Sequence, residues 1–421
     1  MKLLEYFNAA VAVVFFACYL YQFIYIPVAL AAKLRRRESP PTDMSDRYAV
    51  LICARNEAAV ISELLESLRA QSYPAENLTV FVIADNCTDA TAAIARENGA
   101  IVYERYNRVR VGKGYALDEL LKNIERDFGN VFSGYFVFDA DNILEPDYIE
   151  QMDRTFREGY DIITSYRNSK NYGDNWISAG YALCFLRESR FLNHARQALG
   201  TSCSVTGTGF LFSRRILEKQ GGWPFHTLTE DTEFSVSHIL DGVRIGFCER
   251  AVFYDEQPVS FRQSWRQRMR WVKGYLQVIR THGKGLLNGM LRGRFACFDM
   301  SMTIMPAFVL SLAGLFSGTA LAAAGILNGE DILSALLPLA QSAVGAYMTL
   351  FVIALATTLS EWRHIMTDPR KKLLHVVTFP FFMFTYIPIS FCAVFAKVTW
   401  KPIEHRVSGR ALLDAKGRRA A

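Results

Sequence analysis

Charged side chains are scarce in this sequence of 421 residues: Asp, Glu, Lys and Arg make up 21% of it, whereas 51% is hydrophobic. This balance, with a mean hydropathy of +0.10, excludes an intrinsically disordered chain. A soluble enzyme of this length is usually more polar, so we expect segments that face lipid. Basic residues outnumber acidic ones by 47 to 41, and the net charge of +6 does not by itself indicate a nucleic-acid partner. We expect no nucleic acid among the partners.

The eight cysteines have no regular spacing, and no two of them form a C-x-x-C pair. A disulfide framework and a zinc site of that spacing are therefore excluded, and reduced thiols are expected. The sequence also has no internal repeat and no low-complexity tract. Its length fits roughly two domains of ordinary size.

A long apolar run near the start of the chain, from Phe7 to Ala32, is followed at once by Lys33 and three arginines. The run exceeds the roughly 20 residues that span a bilayer. A cleaved signal peptide would carry its charge ahead of a shorter core, so we expect residues 1–37 to be an uncleaved transmembrane anchor. The positive-inside rule then places the N-terminus outside and the following domain in the cytoplasm.

The C-terminal region, residues 301–400, contains three more apolar stretches: Met302–Leu327, Ala335–Thr358 and Leu373–Val398. The loop between the first two lacks Lys and Arg, which is typical of an outside loop. The third stretch contains Pro380 and Pro388. A full span would place the basic tail, residues 401–421, outside, whereas a re-entrant hairpin broken at the prolines would keep it in the cytoplasm. The hairpin is favoured. With either topology, we expect the chain to cross the cell membrane more than once.

Residues 38–260 have the pattern of an α/β domain. Short apolar runs predict buried strands, and runs with helical spacing lie between them. The predicted strands are Tyr48–Ala54, Leu78–Ala84, Ala100–Tyr103, Tyr135–Asp139 and Asp161–Tyr166. This alternation implies a parallel sheet with helices on both faces, whose ligands bind beyond the carboxyl ends of the strands.

One predicted strand ends in two acidic residues, at Asp139-Ala140-Asp141. Two carboxylates separated by one residue can reach one hard cation, and Mg²⁺ or Mn²⁺ typically takes one or two carboxylates together with phosphate oxygens. A solvated acidic turn is the alternative, because so short a motif often occurs by chance.

Gly112-Lys113-Gly114 suggests a phosphate loop, but the pattern G-x-x-x-x-G-K-[ST] fails at Asn107 and at Gly114. A role for Lys113 alone in binding a phosphate stays open. Residues 261–300 predict interfacial amphipathic helices. One apolar stripe there comprises Trp265, Met269, Val272, Leu276 and Ile279, and a second apolar and basic segment is Leu286–Phe298. A surface anchor without chemistry is the alternative for this region.

Several short motifs follow one another between Tyr48 and Trp271. In chain order they are Ala54-Arg55-Asn56-Glu57, Asp85, Lys113, Asp139-x-Asp141, Thr229-Glu230-Asp231 and Gln267-x-x-Arg270-Trp271. Each is weak alone, but in this order they resemble the membrane-embedded family-2 glycosyltransferases, such as cellulose, hyaluronan, chitin and poly-N-acetylglucosamine synthases. The resemblance implies an α/β domain of the GT-A type that binds a nucleotide sugar, with interfacial and transmembrane helices.

The resemblance also implies a donor site for a UDP-sugar. Its residues would be Ala54, Arg55, Glu57, Asp85, Lys113, Asp139, Gln267 and Arg270. Glu57 and Asp85 would hold the uridine. Asp139 and Asp141 would bind the diphosphate through Mg²⁺ or Mn²⁺, which neutralises charge as the diphosphate leaves. Arg270 suits the same phosphates because its planar guanidinium matches their oxygens.

On the acceptor side, the resemblance makes Asp231 the general base, which takes a proton from the acceptor hydroxyl as that oxygen attacks the anomeric carbon. A direct displacement of this kind inverts the donor's α-linkage to a β-linkage. Gly207 and Thr208, in a loop of small residues, would bind the acceptor with Glu230 and Trp271. The alternatives are an ordinary turn for the loop and packing alone for Trp271.

The implied function is transfer of a sugar from a UDP-sugar to a growing β-linked polysaccharide, coupled to its secretion. The alternative is transfer of one sugar to a lipid-linked or glycolipid acceptor at the cytoplasmic face. The sequence departs from several synthases at Asp85-Asn86-Cys87-Thr88-Asp89. Its membrane part is small, which leaves room for a small membrane partner subunit. A glycoside hydrolase would not need the diphosphate-binding groups, and a transporter would carry charges within its spans, so both are disfavoured.

Overall fold

The computed structural model describes residues 2–34, 40–304, 306–400, 405 and 409. The arginines after the anchor and most of the basic tail, residues 401–421, lie outside the described residues. The chain begins with a long apolar helix, α1 (Lys2–Leu34), which contains the predicted anchor.

The first half of the α/β domain confirms the predicted alternation of strands and helices. Its strands are β1 (Tyr48–Ala54), β2 (Leu78–Asp85), β3 (Ile101–Arg105) and β4 (Gly134–Asp139). Its helices are α2 (Ile61–Arg69), α3 (Thr91–Glu97) and α4 (Lys113–Phe128). The four strands are parallel and lie in the order β3-β2-β1-β4. Their carboxyl ends therefore share one edge of the sheet, as the sequence predicts.

The second half of the sheet is mixed, so the prediction of a wholly parallel sheet is wrong. Its strands are β5 (Ile143–Leu144), β6 (Ile162–Ser169), β7 (Phe210–Ser213) and β8 (Ile245–Asp255). β7 runs antiparallel to both β4 and β6, and β5 runs antiparallel to β8. An apolar run indicates a buried strand but not its direction, and an antiparallel strand needs no crossover connection.

Further helices cover the sheet and carry site residues. They are α5 (Tyr148–Phe156), α6 (Trp176–Arg187), a π-helical turn (Glu188–Asn193), α7 (His194–Leu199), α8 (Arg214–Gln220) and α9 (Glu230–Leu240). Because side chains alternate along each strand, the sheet divides the apolar core into two large clusters. On β1, Leu51 belongs to one cluster and Ile52 to the other.

The described C-terminal part is mainly helical as far as Phe395. It comprises α10 (Phe261–Leu291), α11 (Phe295–Ile304), α12 (Pro306–Leu327), α13 (Ile332–Ser360), α14 (Pro369–Phe384) and α15 (Tyr386–Phe395). Within the described residues, four segments are long and apolar enough to cross a membrane: Lys2–Leu34, Val309–Leu327, Ile332–Ser360 and Pro369–Phe395.

A buried polar cluster fastens the anchor to the α/β domain. The hydroxyl groups of Tyr21 and Tyr25, on α1, each donate a 2.8 Å hydrogen bond to the carboxylate of Asp299 on α11. Arg196, on α7, donates two further bonds of 2.7 and 2.8 Å to the same carboxylate. A buried pair of charges is stable only when hydrogen bonds satisfy both groups, as they do here. The cluster therefore ties α1 to α11 and to α7 of the α/β domain.

The last apolar segment is broken where the sequence predicts, at Thr385 between the two prolines. The break is not a hairpin, because Thr385 keeps helical backbone angles (φ −65°, ψ −15°) and the chain kinks there without reversing. Pro388 explains the break, since it has no N–H for the preceding turn. α14 packs on α6 and α13, and α15 packs on α10 and α12, so the kinked segment lies between the membrane helices and the α/β domain.

Candidate active site

The carboxyl ends of β1, β2 and β4 open into a cavity of about 260 Å³, which α9, α10 and α11 border on the opposite side. Every predicted site residue except Thr208 lines it: Ala54, Arg55, Glu57, Asp85, Lys113, Asp139, Asp141, Gly207, Glu230, Asp231, Gln267, Arg270 and Trp271. The cavity has two walls. The sheet wall comprises the residues from 53 to 141, and the helix wall comprises those on α9, α10 and α11.

The loops after β1 and β2 are tied to each other. Asn56 takes a left-handed backbone conformation (φ 58°), which asparagine tolerates, and its side chain accepts a 2.8 Å hydrogen bond from the amide of Thr88. The amide of Glu57 donates to the hydroxyl of Thr91 at 2.8 Å, and the amide of Ala58 donates to Asp89 at 3.2 Å. The residues at which this sequence departs from several synthases thus support the loop that carries Glu57.

Asp85 is buried at the end of β2. It accepts a 2.6 Å hydrogen bond from the guanidinium of Arg105 and one of 2.8 Å from the side chain of Asn86. Burial raises the pKa of Asp85, and Arg105 opposes that rise. Arg105 also pairs with Glu119 at 2.8 Å, so this carboxylate belongs to a network that sets its orientation.

Lys113, the first residue of α4, connects the sheet wall to the small-residue loop. Its ammonium group contacts the carboxylate of Asp139 and donates a 2.7 Å hydrogen bond to the carbonyl oxygen of Gly207. Burial alone lowers the pKa of Lys113, but Asp139 and Glu230 outweigh it, so the pKa is raised and the side chain is charged at neutral pH. A buried, positioned cation is suited to bind a phosphate.

Asp139 and Asp141 face the same cavity at the end of β4. Asp141 accepts a 2.8 Å hydrogen bond from the amide of Glu256, and Asp139 is more exposed. Burial raises the pKa of Asp141, yet His405 and Lys170 outweigh it and lower that pKa, which keeps the carboxylate ionised. Among the described residues, no group of three or more His, Cys, Asp or Glu side chains is placed to hold a metal. Two carboxylates fit Mg²⁺ or Mn²⁺, which usually retain water or phosphate at the other positions.

Thr208 does not line the cavity, so its predicted contact with an acceptor is corrected. The side chain is buried behind the end of β4, where its hydroxyl accepts a 2.9 Å hydrogen bond from the amide of Asp139 and contacts the side chain of Asn142. Gly207 precedes it with a φ of 80° and does reach the cavity. In this loop, residues 204–207 line the cavity and Thr208 faces the strand instead, which the sequence pattern alone does not reveal.

Glu230 and Asp231 begin α9, and both face the cavity. Burial and the neighbouring Asp231 raise the pKa of Glu230 to about 7. Burial also raises the pKa of Asp231, while Arg270 and Lys113 oppose that rise. A carboxyl group whose pKa lies nearer to neutral is a stronger base once ionised, which suits general-base catalysis.

Helix α10 places Gln267, Trp271 and Tyr275 on one face, four residues apart, and all three line the cavity. The ring of Trp271 packs edge-on against Tyr181, with 5.6 Å between the ring centroids. Arg270 donates a 3.0 Å hydrogen bond to the carbonyl oxygen of Leu228. Within the described chain, the buried side-chain oxygen of Gln267 has no hydrogen-bond partner, so the cavity can supply it with one.

Several cavity residues were not predicted from the sequence: Arg167, Glu188, Asp255, Tyr275, Met300, Ile304, Trp400 and His405. The ring of Trp400 lies 5.1 Å from the guanidinium carbon of Arg55. The imidazole of His405 lies 3.0 Å from the carboxylate of Glu57. Burial alone lowers the pKa of His405, but Asp141 and Glu57 raise it to about 10. No local pattern connects residues some 350 positions apart, so only the fold reveals these contacts.

Comparison with known proteins shows which sequences the α/β domain resembles. Residues 46–274 match the sequence profile of the family described as "Glycosyltransferase like family 2". The chain is 26% identical over 257 residues to the probable glycosyltransferase YdaM of Bacillus subtilis, covering 55% of this chain and 56% of YdaM. It is 27% identical over 273 residues to the beta-monoglucosyldiacylglycerol synthase of Nostoc sp., covering 63% and 57%. The chain therefore spans just over half the length of these curated relatives.

Another relative is the poly-beta-1,6-N-acetyl-D-glucosamine synthase of Staphylococcus aureus, 23% identical over 265 residues and covering 61% of each chain. Among solved structures, the mannosyltransferase PcManGT of Pyrobaculum calidifontis, in complex with GDP-Man and Mn²⁺, matches with a TM-score of 0.58. It is 17% identical, with 93% of this chain and 99% of that chain covered, a likeness that shows the fold alone. Since the family profile matches more than half of the sequence, the chain belongs to glycosyltransferase family 2.

Proposed function

We propose that this protein is an inverting glycosyltransferase that uses a UDP-sugar at the cytoplasmic face of the cell membrane. One observation carries the proposal: a single cavity brings Asp139 and Asp141 together with Lys113 on the sheet wall and with Asp231 on the helix wall. A pair of carboxylates beside a charged lysine suits a metal-bound diphosphate. A third carboxylate, half-buried and with a raised pKa, suits a base.

The donor would bind against the sheet wall. Glu57 and Asp85 would hold the nucleoside, and Lys113, Gln267 and Arg270 would donate hydrogen bonds to the diphosphate. Asp139 and Asp141 would hold Mg²⁺ or Mn²⁺, a cation that stabilises the charge on a departing diphosphate. The Mn²⁺ in the PcManGT complex supports this assignment, although that enzyme holds GDP-Man and the preference for uridine here rests on the sequence resemblance.

In the transfer step, Asp231 takes the proton of the acceptor hydroxyl while its oxygen attacks the anomeric carbon. The bond from that carbon to the diphosphate breaks as the new glycosidic bond forms, so the configuration inverts. Glu230 would orient the acceptor, and Gly207 lets the loop approach it closely. A Cβ at Gly207 would lie 3.6 Å from a carboxylate oxygen of Asp231, which supports the close packing of loop and base.

The acceptor would approach along α10 and α11. Trp271 offers an aromatic face suited to a sugar ring, as a growing β-linked polysaccharide requires. Met300 and Ile304 give the same end of the cavity an apolar lining, directly before the membrane helix α12. This lining favours the second candidate function, transfer of a single sugar to a lipid-linked or glycolipid acceptor. Relatives are named for both kinds of product, a glycolipid in Nostoc and a polysaccharide in Staphylococcus.

Contacts at both ends of the kinked segment support the proposed topology. In its first turn, Lys371 donates a 2.8 Å hydrogen bond to the carbonyl oxygen of Gly173, and after its end Trp400 contacts Arg55. Both ends therefore touch the α/β domain, so we propose that α14 and α15 do not cross the membrane. α1, α12 and α13 would cross, with the α/β domain and the tail in the cytoplasm. A small partner subunit would complete a secretion path if the product is a polysaccharide.

The decisive experiment uses the full-length protein in lipid nanodiscs with a panel of UDP-sugars, Mg²⁺ or Mn²⁺, and lipid extracts as the acceptor source. Mass analysis of the product separates a polymer from a lipid carrying one sugar. Asp231→Asn serves as the inactive control. If neither product forms with any UDP-sugar, while a GDP-sugar supports transfer, the proposed donor is wrong.

A further inference from the structure

Two cationic side chains on α10 point away from the cavity, although they flank the residues that line it. Arg268 follows Gln267, and Lys273 follows Trp271 by two positions. Arg268 is fully buried, and Lys273 is partly buried. The amphipathic pattern of α10 suggests that basic residues meet the membrane surface, yet these two bind protein backbone instead.

Arg268 binds the kink of the last apolar segment. Its guanidinium donates hydrogen bonds to the carbonyl oxygen of Phe382, at 3.2 Å, and to the hydroxyl of Thr385, at 2.6 Å. Its carbon lies 4.3 Å from the ring centroid of Phe382 and 4.8 Å from that of Tyr386. Phe382 belongs to the last turn of α14, where a cation interacts favourably with the helix dipole.

This burial of Arg268 is costly, which makes a purely stabilising role a poor explanation. In the described part of the chain, its Nε and Nη2 have no hydrogen-bond partner. A buried charge costs free energy unless it is paired and its hydrogen-bonding groups are satisfied. A charge in this place therefore indicates that the geometry of the kink, rather than its stability alone, depends on the guanidinium.

Lys273 binds the second half of the kinked segment, at the end of α15. Its ammonium group donates hydrogen bonds of 3.2 Å to the carbonyl oxygens of Ala393 and Val394, in the last turn of α15. Val272 beside it packs on Ile389 and Ala393. α10 thus binds the carbonyl end of α14 with one cation and the carbonyl end of α15 with another.

We propose that Arg268 and Lys273 are positioning residues that fix the kinked segment on α10, so that the chain leaving α15 enters the cavity. Ala396 turns to an extended conformation directly after α15, and Trp400 reaches Arg55 on the sheet wall. Trp271, one turn from Arg268 on the same helix, lines the cavity. α10 thus sets the distance between the two tryptophans on opposite sides of the cavity. This inference concerns the protein's geometry and goes beyond the proposed function.

The first test measures hydrogen–deuterium exchange of the full-length protein in nanodiscs for Arg268→Met and Lys273→Met. Arg266→Met is the matched control, since Arg266 is exposed on the same helix. We expect exchange at residues 386–400 to rise at least about tenfold in both test variants, and not in the control, while β1–β4 stay protected. Unchanged exchange at residues 386–400 would overturn the proposal, and so would equal loosening of the whole domain.

The second test asks whether the two cations act through Trp400. It measures the affinity for UDP, a probe that needs no acceptor, in Arg268→Met, Trp400→Ala and the double variant. We expect each single variant to shift the dissociation constant at least about threefold in the same direction, and the double variant to add nothing further. If the effects of the two substitutions on UDP affinity add, or if Trp400→Ala has no effect, Arg268 does not act through Trp400.

Thr385→Val keeps the test decisive if Arg268→Met fails to fold, because it removes only the hydroxyl that Arg268 binds. We expect it to reproduce part of the Arg268→Met shift in exchange and in UDP affinity. Arg268→Lys keeps the charge and one donor, so it should restore most of both readouts. A Lys variant as impaired as the Met variant would show that the packing of the side chain, and not its charge, holds the segment.

Discussion

The ammonium group of Lys113 donates a 2.7 Å hydrogen bond to the carbonyl oxygen of Gly207, and it contacts the carboxylate of Asp139 at the same time. One side chain thus links the end of β4 with the loop that approaches Asp231. A change on one wall of the cavity can therefore reach the other through Lys113, so the variants below need separate measurements of donor binding and transfer.

The metal assignment is tested with Asp141→Asn. We expect divalent-dependent transfer to fall at least about 100-fold, because the cation would lose one of its two carboxylates, while thermal unfolding changes little. Asp241→Asn is the matched control, since Asp241 is exposed at the end of α9 and pairs with Lys219 on the surface. Undiminished transfer by the Asp141 variant, or by the parent protein in chelator, would contradict the assignment.

The proposed base is tested with Asp231→Asn, which keeps the size of the side chain but cannot accept a proton. We expect UDP binding to stay near the parent value, while transfer falls by about 100- to 10,000-fold. Glu230→Gln should be milder, because Glu230 would only orient the acceptor. If Asp231→Asn loses UDP affinity in proportion to its activity, the base lies elsewhere.

The pH dependence of transfer follows from the raised pKa values of the same pair. A base must be ionised, and a raised pKa means that protonation begins at a higher pH than for an ordinary carboxyl group. Transfer should therefore be lost as the pH falls through the raised pKa of Asp231, which lies above that of an ordinary aspartate. Glu230→Gln removes the neighbouring charge, so it should move the acid limb of the kcat profile to lower pH. If the acid limb does not move, the titration that limits transfer at low pH does not belong to this pair of carboxyl groups.

The close packing of α10 on α9 is tested with Gly274→Ala. A Cβ at Gly274 would clash with the side chain of Thr229, directly before Glu230, so α10 would be displaced. We expect a loss of transfer of at least about tenfold, as small misplacements of reacting groups are costly. Gly283→Ala on the same helix meets only a methyl group of Ile279, at 3.3 Å, and should stay active. Equal activity of both variants would contradict this role for Gly274.

Topology is tested with reporters fused into the loop Asn328–Asp331 and after Ala421. We expect the loop between α12 and α13 to report outside and the C-terminus to report inside. The expectation for the C-terminus rests on the contacts of Trp400 and His405 with the α/β domain. A C-terminus outside would mean that α14 and α15 cross the membrane.

Much of the fold was predictable because it rests on local patterns. The apolar runs of β1, β2 and β4 and the acidic residues after them are each contained in a few consecutive positions. Parallel strands bring their carboxyl ends to one edge, so the meeting of Glu57, Asp85 and Asp139 follows from the pattern alone. The direction of β7 did not follow, because a four-residue apolar strand has no signal for its direction.

The sequence by itself determined the kinds of element, the sheet edge that carries the site, and the motifs that identify the family. Only the tertiary structure decided that Thr208 lies behind Asp139, that Arg268 binds the kink at Thr385, and that His405 reaches Glu57. The reason is physical: hydrophobic periodicity and strand ends are set by neighbours along the chain, and can be read from them. Contacts between distant residues depend on which faces are buried together, and no single segment contains that information.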